Sequence, residues 1–159
     1  MTKKKTSADK GLDFGILPSL AGYQLRLAQI AIFRDFAAAL GEFDVTPGLF
    51  GVIVIIDANP GLKQSELARA AHLDRSTVVS VIDNLERRGL VERRPAENDR
   101  RSNALVLTPD GVALLKKLKR RVGEHEKRLV EHLSEEERVT LVRLLQKIFP
   151  EQRLTQSHT

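Results

Sequence analysis

Apolar residues fill the stretch at residues 20–40 so densely that no single amphipathic stripe can hold them. A helix is predicted there, and it needs burial on more than one side; in a chain of 159 residues a second subunit is the natural source. Thr46-Pro47-Gly48 then offers a cap and a proline at the first helical position, and Asn59-Pro60-Gly61 offers a stop. The run between them is β-branched enough for a buried strand, but these boundaries enclose a helical length. In the next segment Leu62, Leu67, Ala70 and Ala71 recur at helical spacing, and a turn is expected at Ala71-His72-Leu73. Asp74 can cap a second helix running to about Arg88. Val78, Val81, Ile82 and Leu85 form its inward stripe and leave Arg75, Ser76, Val79, Ser80 and Asp83 on other faces. Gly89 supplies a left-handed end, with Arg87 and Arg88 set against the negative end of the helix dipole.

Beyond Gly89 the period becomes strand-like: LVERR, then turn-rich PAEND, then a returning RRSNALVLT. The whole stretch at 64–101, QSELARAAHLDRSTVVSVIDNLERRGLVERRPAENDRR, therefore reads as two short helices, a turn and a basic hairpin, the pattern of a winged helix-turn-helix. Arg93, Arg94, Arg100 and Arg101 either form a solvated basic turn or place an arginine in a minor groove, with Asp99 able to hold Arg101. Thr108-Pro109 opens a long helix whose interrupted stripe is Val112, Leu115, Leu118, Val122, Leu129 and Leu133. Its expected length, roughly 25 residues, spans about 37 Å. Ser134 and Glu137 have capping-box spacing, and the last helix carries Val139, Leu141, Val142, Leu144, Leu145, Ile148 and Phe149 before Pro150.

Charge sharpens this picture modestly. The net charge is +5 and the isoelectric point near 9.7, which favours an acidic partner, yet 21 acidic residues make the location of the basic groups matter more than their number. Lysines 3, 4, 5 and 10 fall in a basic tail at 1–15, read as solubilising or as touching phosphates. Lys116, Lys117, Lys119, Arg120 and Arg121 form a second basic segment, either a solvated face, a second DNA contact or a seat for an anionic ligand or phosphate. The absence of cysteine excludes disulfides and thiolate chemistry. With no membrane-length apolar run and no signal-peptide core, a cytoplasmic protein is expected.

From about residue 17 to 149 the chain resembles the MarR family of transcription regulators. The resemblance is carried by Asp74-Arg75-Ser76-Thr77, by Leu85-Glu86-Arg87-Arg88-Gly89-Leu90-Val91, by Asp99-Arg100-Arg101-Ser102 and by Leu107-Thr108-Pro109. It implies a homodimeric DNA-binding protein, usually a repressor released by a small molecule, and it matches Asp99 and Arg101 to the family's D-x-R wing motif. Two positions depart from the family pattern. Lys63 replaces the usual capping serine or threonine, so no capping box with Glu66 is expected, and His72 replaces a common glycine at a turn that requires a left-handed residue.

The expected architecture is mainly α with a small β-hairpin wing: a winged helix-turn-helix lobe at 46–108, dimerisation helices at 16–41 and 109–150 forming a platform, and a C-terminal tail at 151–159. DNA contacts are expected from Gln64, Ser65, Arg75, Ser76, Thr77, Val79, Ser80, Asp99 and Arg101, on a pseudo-palindromic duplex. Tyr23, Arg26 and Arg34 are either interface or snorkelling groups or the lining of a ligand pocket; Phe50 and Val54 are either core or its wall. Family resemblance points to an aromatic acid or its coenzyme A thioester as effector, for which Tyr23 could stack and the two arginines pair. No phosphate-binding glycine loop, G-x-S-x-G elbow or HExxH motif is present, so neither an enzyme nor a cofactor is expected. His125 and His132 lie seven residues apart, about 10.5 Å along a helix, too far to share a metal comfortably. The competing reading is a constitutive architectural or silencing DNA-binding protein without an effector.

Overall fold

The computed structural model describes residues 11–96 and 99–148, with the side chains of residues 96–103 outside the description. The first ten residues of the basic tail, the 97–98 turn, Phe149, Pro150 and the C-terminal tail thus lie outside it, as do the side chains of Asp99, Arg100 and Arg101. The chain divides into two compact units, Met1–Arg34 and Asp35–Thr159.

In the first unit a 3-10 turn at Leu17–Ser19 leads into α1, Ala21–Leu40, the apolar helix expected from composition. Leu27, Ile30 and Phe33 are each more than two-fifths exposed, so much of its apolar surface is uncovered in a single chain.

The second unit begins within α1 and contains the core. α2 (Pro47–Ala58) is a helix and not a strand: Thr46 Oγ1 accepts from the Leu49 amide at 3.2 Å and Pro47 needs no hydrogen-bond partner there. Val52, Ile53 and Ile56 point inward and meet Leu67 from α3 (Gln64–Ala71), Val78, Ile82 and Leu85 from α4 (Arg75–Arg87), and Leu115 and Leu118 from α5 (Pro109–Leu129). Phe36 and Leu40 close one side. Ala70, expected on the inward face of α3, is exposed; Ala68 packs on the core instead.

Three expectations are corrected. Leu62 and Lys63 belong to a two-residue strand, β1, not to the following helix. Gly61, at φ 90°, donates its amide to the Leu105 carbonyl at 2.9 Å and so lays β1 antiparallel to the returning strand. The wing is therefore three-stranded in the order β1-β3-β2, with β2 at Val91–Ala96 and β3 at Asp99–Leu107. Pairs run from Val91↔Leu107 to Pro95↔Asn103, followed by a register shift. Pro95 lacks an amide proton and is tolerated because β2 is an edge strand. Second, half of a capping box forms despite Lys63: its amide donates to Glu66 Oε2 at 2.9 Å. An ammonium has no lone pair, so the reciprocal half cannot form. Third, α5 is 21 residues long, about 32 Å, rather than about 37 Å. Val112, Leu129 and Leu133 lie outside its inward stripe, Val112 being half exposed, Leu129 exposed at the last helical position and Leu133 beyond the helix end. The stripe instead reads Gly111, Leu115, Leu118, Val122 and His125.

His125 is the only buried polar residue among those described, at 1% exposure. Its Nδ1 lies 2.5 Å from Asp35 Oδ2, and its ring meets Phe36 edge-on at 5.6 Å. Asp35 also accepts from Arg128 at 3.2 Å, and these contacts, the histidine bond first, hold its carboxyl below the usual carboxylate range. His125 thus packs as a hydrogen-bonded core residue, while His132 is fully in solvent.

α6, Glu135–Ile148, begins with the reciprocal box expected from sequence: the Ser134 amide donates to Glu137 Oε2 at 2.8 Å and the Glu137 amide to Ser134 Oγ at 3.2 Å. None of its residues is buried, although six are large and apolar. Among the described residues no single helix is long and apolar enough to cross a membrane.

Candidate nucleic-acid interface

The helix-turn-helix turn is built on a strained residue. His72 sits at φ 53°, ψ 41°, the left-handed geometry the sequence demands there, and its amide donates to the Arg69 carbonyl at 3.3 Å. The next amide, of Leu73, reaches Ala68 at 3.0 Å. Two α3 carbonyls are satisfied in this way, and the chain turns within three residues.

Asp74 then caps α4 more fully than the sequence indicates. Its Oδ1 accepts from the Thr77 amide at 2.8 Å and from Ser76 Oγ at 2.5 Å, while Oδ2 accepts from Thr77 Oγ1 at 2.6 Å. The Ser76 hydroxyl, followed by the hydroxyl and amide of Thr77, pulls the Asp74 carboxyl far below the ordinary range. Both hydroxyl protons are thereby directed inward, so Ser76 and Thr77 offer lone pairs, not donors, to a ligand. A folded-state pKa below the unfolded one stabilises the fold at pH above about 4, and that contribution fades as pH falls toward the depressed value. Asp74→Asn, which can still cap, should accordingly lower Tm at pH 6 and converge on the parent as pH drops below about 4 in thermal melts; a constant offset would show that the charge is immaterial.

Arg75, Ser76, Val79 and Ser80 are exposed along α4, and Thr77 is half-buried. Beside them an open cleft of about 520 Å³ is lined by Thr46, which caps α2, by Leu49 of α2, by Leu73, and by Ser76, Thr77 and Ser80. Ser65 is exposed at the start of α3. Gln64, expected to hold phosphate, is half-buried; with its amide oxygen turned inward it accepts from Arg93 Nε at 3.1 Å and Nη2 at 3.2 Å. The backbone of Asp99 and Arg101 lies in β3. Among the pocket candidates, Phe50 and Val54 sit one turn apart on α2 and pack on the core, Phe50 lying 6.4 Å from the Phe36 ring. In the first unit Tyr23 is half-buried and Arg26 and Arg34 are exposed, all within an arc of about 80° on α1.

Two arginines do work that sequence reasoning missed. Arg88, assigned only to the α4 dipole, donates to the carbonyls of Phe43 at 2.8 Å and Asp44 at 3.0 Å, fastening the end of α4 to the turn before α2. Arg93, placed near a solvated hairpin tip, folds back onto α4 and pairs with Asp83 at 2.5 Å and with Glu86. A partner 44 or 45 residues away leaves no local trace. For Arg93 a signal existed in the outward i, i+3 pair Asp83 and Glu86, which leaves two carboxylates on one helix face.

The lobe so described coincides with a family pattern, since residues 45–102 match that of the MarR family. A protein of Thauera aromatica, described as a transcriptional regulatory protein for the hcr operon, is 40% identical over 85% of this chain and 82% of its own length. The multiple antibiotic resistance protein MarR of Salmonella typhimurium is 32% identical over 70% of this chain and 78% of its own. This chain belongs to the MarR family. Among solved MarR-family structures, the transcriptional repressor CouR bound to a 23-mer DNA duplex superimposes with a TM-score of 0.83, at 39% identity, over 87% of this chain and 99% of that one. CouR bound to p-coumaroyl-CoA gives 0.81 at 38% identity, over 88% and 99%. These MarR-family relatives are transcription regulators and not enzymes.

Proposed function

We propose that this chain is a homodimeric, sequence-specific repressor, released from its operator by an aromatic acid or the coenzyme A thioester of one. The observation that carries the reading is the exposed face of α4: Arg75, Ser76, Val79 and Ser80 project from a helix whose first turn is locked by Asp74, on a chain that superimposes on DNA-bound CouR. Each α4 enters a major groove, Ser76 and Thr77 accept from base amino groups or ordered water, and Arg101 lies in the flanking minor groove with Asp99 beside it. Ser65 meets backbone phosphate at the α3 N-terminus. Two-fold symmetry sets half-sites about 34 Å apart.

Dimerisation is supported by the uncovered apolar residues of α1 and α6. The effector class is supported by CouR bound to p-coumaroyl-CoA; the candidate contacts on this chain are Tyr23, Arg26 and Arg34 within the first unit and, separately, Phe50 and Val54 within the second. A ligand that binds the DNA-incompatible arrangement better than the DNA-bound one shifts the population away from DNA.

Fluorescence anisotropy with a labelled duplex from upstream of the chain's own gene tests this, against a scrambled duplex at physiological salt. Binding with a preference of about a thousandfold is expected, and p-coumaroyl-CoA should release the duplex while free coenzyme A does not. Equal affinity for both duplexes would replace the repressor by an architectural DNA binder. Undisturbed binding across p-coumaroyl-CoA, p-coumarate and simple benzoates would remove the effector class and leave the DNA reading in place.

A further inference from the structure

One guanidinium joins three elements of the DNA-facing lobe. Arg93 leaves β2 and turns onto α4, where Nη2 reaches Asp83 Oδ1 at 2.5 Å and Nη1 pairs with Glu86 Oε2. The Arg93 amide also reaches Glu86 Oε1 at 3.4 Å, and the guanidinium edge donates to Gln64 at the start of α3. Asp83 and Glu86 stand beside the stripe that begins with Ser76 and Ser80, and with Ser80 and Arg87 they line a shared open depression. The two carboxylate side chains are 55% and 41% exposed, whereas that of Arg93 is 20% exposed. The arginine is therefore covered by its partners and presents little of its charge to a ligand arriving from solvent. Arg94, by contrast, pairs with Glu92 on its own strand and remains 62% exposed.

We propose that Arg93 acts through its partners and is not a phosphate contact: it cancels the charge of Asp83 and Glu86 on the face that meets DNA. The inference rests on the DNA-binding reading above. Exposed ion pairs add little to stability in water, so the consequence falls on binding: uncancelled carboxylates would meet the phosphate backbone, and like charge across an interface is costly. The planar fork of arginine suits this place, because it engages two carboxylates and a carboxamide together, which a lysine point charge cannot do.

The test is a charge-rescue series read by anisotropy on the upstream and scrambled duplexes, with melting curves to confirm folding. Arg93→Gln should weaken binding roughly tenfold or more to both duplexes. Adding Asp83→Asn and Glu86→Gln to it should restore affinity to within about threefold of the parent, since the charges it cancelled are gone. Asp83→Asn/Glu86→Gln with Arg93 intact should bind as tightly as the parent or tighter, and this variant serves if Arg93→Gln does not fold. Failure of the triple variant to recover, or weakened binding by the carboxylate double variant, overturns the proposal and makes Arg93 or the carboxylates direct contacts. Loss of binding by the parent on both duplexes would instead overturn the DNA-binding reading, and this inference with it.

Discussion

Leu141→Glu/Leu145→Glu should convert the proposed homodimer to a monomer of 17.8 kDa in sedimentation velocity, with specific DNA binding lost at the same time. The two leucines lie one turn apart on α6 and are 42% and 38% exposed in the single chain. With Leu144 and Ile148 they make an apolar stripe that nothing in the second unit covers well. Burying the rest of each leucine contributes about 1 kcal/mol, and two-fold symmetry presents four copies, so their loss raises the dissociation constant by nearly a thousandfold. The glutamates add the cost of placing carboxylates in an apolar interface. Because a monomer carries one reading helix, it loses the half-site pairing on which operator affinity depends. A variant that stays dimeric and binds DNA normally would move the interface away from α6.

Gly111→Ala should lower stability by about 3 kcal/mol, at the upper end of overpacking effects, and depress Tm by roughly 6–12 °C in melts at fixed protein concentration. A β-carbon built at Gly111 would stand 2.1 Å from the Leu90 carbonyl oxygen and 3.0 Å from its carbon. These are backbone atoms at the root of the wing, so no side-chain rotation relieves the clash. The same carbonyl accepts from the Thr108 amide at 3.1 Å, while Thr108 Oγ1 donates to the Gly89 carbonyl at 2.6 Å and caps Gly111 at 3.0 Å. Moving α5 outward to admit a methyl group would break this junction between α4, β2 and α5. DNA affinity should fall as well, because the wing would shift relative to the reading helix. An unchanged Tm would mean that α5 approaches the wing less closely than the carbonyl distance requires.

These two sites differ in how openly the sequence declares them. The α6 stripe is visible in residues 139–148 as apolar positions three and four apart, bounded by a capping box. Gly111 looks like any glycine in the first turn of a helix, and only the approach of the Leu90 carbonyl, from the bend between α4 and β2, makes it indispensable.

Helices α1, α2 and α4, their caps at Thr46 and Asp74, the left-handed turn at His72 and the outward set Arg75, Ser76, Val79 and Ser80 were legible from the sequence alone. Each depends on residues within about four positions of one another, the range over which helical periodicity and capping operate. β1 was not legible, because two residues carry no period and their strand character comes from pairing with Leu105 and Ala104, more than forty positions later. Arg88 on Phe43 and Asp44, Arg93 on Asp83 and Glu86, and His125 on Asp35 were likewise decided by the tertiary structure. A charged or imidazole side chain reaches whatever acceptor packing brings near it, and that partner is set by where helices cross and strands register rather than by neighbours along the chain. The sequence by itself determined which residues of α4 face outward; the folded chain decided which charges beside them are already spent on each other.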